Sequence, residues 1–385
     1  MTIQVKNGLC ILGSDLVKTD VLIDGGRFAA LGQNLPGADV TLDAAGAYVA
    51  PGFVDVHVHG GGGRDFMEAT PEAFRAATEH HLTHGTTALV PTAVSAPLAD
   101  LERFLAACRA AMSSGSIRAR ILGAHLEGPY LSKHKAGAHN PAYLKDPDPA
   151  EYGKLVTDHP CLLRMTAAPE LAGAFALGEH LRRHGVNASC GHSDASAQTV
   201  MAACDHGFSS VTHLYNAMSQ AGERDGRKQG GVVEAALLDD RLYAEIIADL
   251  RHVPAELVWL GYKNKGREKL VAVSDCLSPA GMEAGRYRLG DAEHGIQVDV
   301  REAAFVAGTD KLAGSIVASD QLLQNLIAIG IPIVDAVWML TKAPAALLGK
   351  SDSVGSIRIG GSADLVVFDE TGAVRHVVCQ GVVIR

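Results

Sequence analysis

A strand, loop and helix pattern that recurs through most of the chain constrains this fold more than any other feature of the sequence. Eight short apolar runs read as strands: Phe53–His59, Thr87–Thr92, Ile121–Glu127, Leu163–Ala167, Asn187–His192, Ser210–Tyr215, Ala244–Ala248 and Leu270–Asp275. Helical stretches separate most of them, among them Pro71–His84, Leu98–Met112, Ala174–His184, Ser196–His206 and Pro254–Lys263. Gly85, Gly185 and Gly207 follow three of these helices, where a left-handed residue commonly ends one. Leu270-Val271-Ala272-Val273 is apolar at every position instead of alternating, which fits a parallel strand covered on both faces. Eight such units over about 300 residues predict an α/β fold, a closed (β/α)8 barrel of the TIM type. The competing doubly wound sheet needs a glycine fingerprint at its first strand-to-helix turn. The Gly60–Gly63 run instead follows a histidine pair and carries no phosphate-loop lysine.

Both ends of the chain break this pattern. Ile3–Val5, Leu9–Ile11, Asp20–Ile23, Phe28–Leu31 and Val40–Asp43 read as short strands, and Asp24-Gly25-Gly26 as a hairpin turn. Ser356–Ile359, Ala363–Phe368 and Val374–Ile384 return to the same style. The prediction is a small β-sandwich domain formed by both termini, residues 1–50 and 350–385, around a barrel of residues 51–349.

Composition narrows the partners. The net charge of −9 repels nucleic acid and anionic membrane, though a local cluster of Arg and His still admits a small anion. No run approaches the roughly 18 apolar residues of a membrane span. The N-terminus alternates like a strand and does not read as a signal peptide. Seven cysteines without a CxxC pair point to reduced thiols in the cytoplasm, with Cys190 and Cys276 as packing residues.

Residues able to bind metal collect at the strand ends. His57 and His59 close the first strand, Glu127 the third, His192 the fifth, His213 the sixth and Asp275 the eighth. The C-terminal strand ends of such a barrel form its active face. Side chains two apart on a strand point the same way, so His57 and His59 share a face, as do His125 and Glu127. A single buried histidine is more often a hydrogen-bonded core residue than a ligand, and Asp275 alone has the lesser reading of a helix cap. Core histidines, however, have no reason to gather at one end of successive strands. Imidazole and carboxylate donors suit Zn²⁺ or Fe²⁺. A bound divalent ion acidifies water and polarises an amide carbonyl, and Asp275 can carry the proton to a departing amine. No GxSxG elbow supports a serine acyl-enzyme.

These residues sit in motifs that resemble the amidohydrolase superfamily, and within it the N-acetylglucosamine-6-phosphate deacetylases. The motifs are Pro51-Gly52-Phe53-Val54-Asp55-Val56-His57-Val58-His59, His125-Leu126-Glu127-Gly128-Pro129, Gly137-Ala138-His139-Asn140-Pro141, Gly191-His192-Ser193, Thr212-His213-Leu214-Tyr215-Asn216-Ala217-Met218 and Ser274-Asp275. The second and the fifth of these are highly specific, whereas the first marks only the wider superfamily. The resemblance implies a deacetylase of N-acetylglucosamine 6-phosphate. Glu127, His192 and His213 become the main metal ligands, with His57 and His59 available for a second ion. Asp275 becomes the catalytic base and acid, and His139 polarises the acetyl carbonyl. Asn216, Ala217, Arg224 and His252 hold the sugar phosphate, and Ala138, Leu312, Ala313 and Gly314 make further substrate contacts. A homodimer is also implied.

Two stretches depart from the family pattern near the phosphate position. Arg224-Asp225-Gly226 stands where the family has REPG, and Leu250 stands where it has Gly in IADG. Arg227, Lys228 and Arg251 either restore an anion site or form a solvated basic face. The galactosamine epimer or another N-acyl amine is therefore the alternative substrate. From other classes come a non-catalytic scaffold, and a deaminase or cyclic-amide hydrolase, which often uses a carbamylated lysine where this chain has Glu127.

Overall fold

The computed structural model describes residues 1–224 and 226–385, with Arg224 by its backbone alone. The eight barrel strands are β1 (Phe53–Val58), β2 (Thr86–Ala93), β3 (Ala124–Glu127), β4 (Leu162–Ala167), β5 (Asn187–Cys190), β6 (Phe208–Val211), β7 (Tyr243–Ile247) and β8 (Leu270–Val273). They pair in parallel in sequence order, with β1 against β2. The ring closes just beyond β8. Val58 bridges Cys276, and the Asp275 N–H donates to the His57 carbonyl at 2.9 Å.

The apolar runs explain the closure. Every residue of β1, β2, β3 and β8 is buried, so neither face of these strands meets water. Each fully buried Val or Leu contributes roughly 1.5–3 kcal/mol. The helices start and stop as their sequences dictate. Thr70 and Ser196 accept from the backbone N–H groups of Ala73 and Thr199 at two helix starts. Gly85, Gly185 and Gly207 take φ of 91°, 71° and 104° two residues past helices ending at Thr83, Arg183 and Asp205.

The two chain ends build one eight-stranded sheet. Its first strand, Thr2–Leu12, pairs in parallel with Val40–Asp43, then past a bulge after Val5 with Tyr48–Pro51. Tyr48–Pro51 joins it to the C-terminal strands Leu365–Phe368 and Val374–Cys379. A separate apolar core, including Ile3, Val21, Phe28, Val49, Leu365 and Val378, fills this domain. Gly25 and Gly26, at φ 53° and 77°, make the expected hairpin turn. Ser356–Ile359 is not a strand. Gly355 and Gly360, both at φ 80°, bend the backbone away from extended geometry on either side of it.

One element was not legible in the sequence. Gly285–Leu289, Ile296–Val300, Ala304–Val306 and Leu312–Gly314 form a four-stranded antiparallel sheet after β8. Its last strand returns to the barrel, where the Ser315 N–H donates to the Asp275 carbonyl at 2.9 Å. Among the described residues, no helix is long and apolar enough to cross a membrane.

Candidate metal centre and catalytic cleft

The parallel strands share one polarity, so their C-terminal ends meet on one face, and the predicted residues converge there. His57 lies within β1 and Glu127 ends β3. His59 follows β1 directly, and His192, His213 and Asp275 each lie two residues past their strands, in the turns. His192, His213 and Asp275 have φ of 47°, 30° and 48°, and Ala217 beside them 47°. Left-handed backbone is costly for residues with a Cβ, and its clustering here marks a site held by its surroundings.

Two sets of donors share one carboxylate between them. Glu127 Oε1 lies 3.1 Å from His192 Nε2 and 2.9 Å from His213 Nε2, which are 3.0 Å from each other. His57 Nε2 and His59 Nε2 are 3.2 Å apart, and Asp275 Oδ1 lies 3.4 and 3.2 Å from them. Glu127 Oε2 turns toward this second set, 3.6 Å from His57 and 3.4 Å from His59.

This geometry fits metal ions. Donors bound about 2.0–2.1 Å from a tetrahedral Zn²⁺ lie about 3.3 Å from one another. All six spacings within the two sets fall near that edge. The tautomers agree as well. His192 Nδ1–H donates to the Lys135 carbonyl at 2.8 Å and His57 Nδ1–H to Glu245 at 3.1 Å, which leaves both Nε2 lone pairs facing inward. Electrostatics calls for positive charge in the same place. Burial opposes protonation of His59, but Asp275 and Glu127 carry its pKa up to about 9. Burial likewise opposes ionisation of Glu127 and Asp275. His57 and His139 hold Glu127 well below the usual carboxylate range, and His57 and His59 pull Asp275 down.

His139 differs from the other imidazoles. Its Nδ1 accepts from the Ser95 N–H at 3.1 Å, so the proton of its neutral form sits on Nε2, 3.2 Å from Glu127 Oε2. Burial and His192 lower its pKa to about 4. His139 is therefore a donor aimed into the site and not a lone-pair ligand. His125, which shares a face with Glu127, is tied to Thr92 and Thr166 at 3.2 and 2.8 Å and belongs to neither set.

Above the donors opens a cleft of about 500 Å³. Ala138, His139, Asn216, Ala217, His252, Leu312, Ala313 and Gly314 all line it, together with Asp275, Glu127, His59, His192 and His213. His252 Nδ1–H donates to Asp249 at 2.7 Å. Burial lowers its pKa, but Asp249 more than reverses this and the net shift is upward. The side chain of Arg224 and all of Asp225 lie outside the described residues. Arg227 and Lys228 are exposed on a small hairpin, and Arg251 is also exposed.

Several residues escaped the sequence reading. Lys133, Lys135 and Lys311 line the cleft, and Lys311 Nζ donates to the Gly137 carbonyl from the opposite wall. Lysines in polar loops carry no local signal of such a role. Asp55, Arg164 and Glu245 lie under the site, buried in β1, β4 and β7. Their signal was available, since each is a charged residue inside an otherwise apolar strand. Cys190 and Cys276 are fully buried beside the site, and burial raises both thiols well above their ordinary range, as packing residues should be.

Comparison with known proteins agrees with this architecture. A profile of the amidohydrolase family matches residues 48–384. An N-acetylgalactosamine-6-phosphate deacetylase of Escherichia coli O157:H7 is 33% identical over 86% of each chain. An N-acetylglucosamine-6-phosphate deacetylase of Lysinibacillus sphaericus is 32% identical over 91% of this chain and 89% of its own. The solved structure of a mutant N-acetyl-D-glucosamine-6-phosphate deacetylase from Mycobacterium smegmatis, in complex with N-acetyl-D-glucosamine-6-phosphate, superposes with a TM-score of 0.90. It is 34% identical and covers 100% of this chain and 99% of its own. The chain belongs to the amidohydrolase family, in the branch that holds the amino-sugar-6-phosphate deacetylases.

Proposed function

We propose that this chain hydrolyses N-acetyl-D-glucosamine 6-phosphate to D-glucosamine 6-phosphate and acetate, with one or two Zn²⁺ or Fe²⁺ ions per subunit. The observation that carries the reading is the pair of donor sets sharing Glu127 at the floor of a cleft lined by Asn216, Ala217, His252 and Leu312–Gly314. The donors are nitrogen and oxygen only, which suits either metal. Glu127, His192 and His213 form one set, and His57, His59 and Asp275 the other. A divalent ion there supplies an acidified water and a Lewis acid for the amide carbonyl.

The chain's own groups do the rest. His139 donates its Nε2–H to the acetyl oxygen as negative charge develops there. Asp275 accepts the water proton on a carboxylate oxygen and returns it to the sugar nitrogen. A C–O bond forms, the C–N bond breaks, and acetate leaves the free amine. Asn216, Ala217, Arg224 and His252 hold the phosphate, and Ala138 with Leu312–Gly314 holds the sugar. The galactosamine epimer is a second reading, because relatives acting on either sugar are nearly equally similar to this chain. The proposal includes a homodimer in the cytoplasm, where reduced thiols persist; all seven cysteines are free and six are buried.

Acetate release by the metal-replete protein, measured on both N-acetylhexosamine 6-phosphates and on unphosphorylated N-acetylglucosamine, tests the reading. Turnover confined to the unphosphorylated amide, or none on any of the three, overturns it.

A further inference from the structure

Beneath the paired imidazoles lies a charged pair that the proposed reaction does not use. Glu245 on β7 and Arg164 on β4 are both fully buried and form an ion pair. Arg164 Nη2 also donates to Ser189 Oγ at 2.8 Å. Burial pulls the guanidinium pKa down to about 9, so it stays charged at neutral pH. Taking two charges out of water is costly, and their mutual attraction often repays no more than that cost. Such a pair adds little to stability by itself, so its value lies in what it positions.

What it positions is a ligand set. Glu245 Oε2 accepts from His57 Nδ1 at 3.1 Å and from the His213 backbone N–H at 3.2 Å. The first bond fixes the Nδ1–H tautomer of His57 and turns Nε2 toward His59 and Asp275. A carboxylate behind an imidazole also makes the opposite nitrogen a stronger donor. His59, the other imidazole of this set, has no hydrogen-bond partner at Nδ1 among the described residues. In the other set, His192 is backed only by the neutral Lys135 carbonyl. Among the imidazole rings, the charged support thus reaches His57 alone, since Glu245 holds His213 only by its backbone.

We infer that Glu245, supported by Arg164, is a positioning residue that sets the affinity of His57, His59 and Asp275 for a second divalent ion. The inference rests on reading the cleft floor as a metal site. Loss of a supporting group of this kind weakens metal binding by about 10–100-fold.

The test is a titration of the metal-free chain with Zn²⁺ against a chromophoric chelator, with metal per subunit counted by mass spectrometry. The wild type takes two ions. Glu245→Gln keeps the side-chain size and weakens one step by about 10–100-fold, leaving the other within about threefold. The weakened step is the one that His57→Gln abolishes. If Glu245→Gln leaves Arg164 unpaired and does not fold, the double variant Arg164→Met with Glu245→Gln removes both charges and carries the same expectation. Two steps weakened equally, two steps unchanged, or a wild type that takes one ion irrespective of His57→Gln each overturn the inference. Acetate release is scored separately, so failure of the proposed reaction is distinguishable from failure of this one.

Discussion

Replacing His139 by alanine separates a carbonyl-polarising donor from a metal ligand. The imidazoles of His57, His59, His192 and His213 lie in the two donor sets, whereas His139 takes the Ser95 N–H on Nδ1 and carries its proton on Nε2. At neutral pH it is uncharged, because burial and His192 lower its pKa to about 4. The variant should lose a hydrogen bond to developing negative charge, which corresponds to about 10²–10³ in kcat. The Ser95 N–H is left without its acceptor in a buried place, at a stability cost of about 1–3 kcal/mol. Metal content should not change. The assay is acetate release at saturating phosphosugar, with metal per subunit measured on the same sample and stability measured by denaturant unfolding. Loss of a metal ion would show that His139 is a ligand and that the tautomer argument is wrong. A fall in kcat below tenfold would remove it from carbonyl polarisation.

Three further predictions follow the same geometry. Asp275→Asn should lower kcat by about 10²–10⁴ with little change in KM, because the amide cannot shuttle a proton; stopped-assay kinetics with metal analysis would show this. Lys311 offers its ammonium to the neutral Gly137 carbonyl across the cleft, where an entering phosphate competes well for it. Lys311→Met should therefore raise KM for the phosphosugar about tenfold, near the lower end of a charge-assisted hydrogen bond, and leave the unphosphorylated sugar unaffected. Burial lowers His81 from 6.5 to about 4. The unfolded chain then binds a proton that the folded one refuses, so stability falls as pH drops from about 6.5 to 4. The loss from this residue reaches about 3 kcal/mol at the acid end, and His81→Gln should flatten the pH dependence of unfolding by that amount.

The barrel was legible because its strands are buried on both faces. A run such as Leu270-Val271-Ala272-Val273 needs no partner to declare itself, since apolarity at every position is a local property. The four-stranded sheet of residues 285–314 was not legible. Its strands have three to five residues and mix buried with partly buried or exposed positions, as Gly285–Leu289 shows, so no single run stands out from loop. That sheet nevertheless brings Leu312–Gly314 to the cleft.

The sequence by itself determined that His57, His59, Glu127, His192, His213 and Asp275 would share one face, because parallel strands have a common direction and each residue stands at or just beyond a strand end. Only the tertiary structure decided how they group. Asp275 meets His57 and His59 because the ring closes between β8 and β1, and closure joins segments more than 200 residues apart, as the Ser274–Asp55 hydrogen bond also does across 219 positions. The donor role of His139 is set by the Ser95 N–H, and that of His57 by Glu245, each reached across a neighbouring strand or loop. Periodicity along a strand is written in a few adjacent residues. Register, closure and tautomer depend on contacts between distant ones, and no short window of sequence contains them.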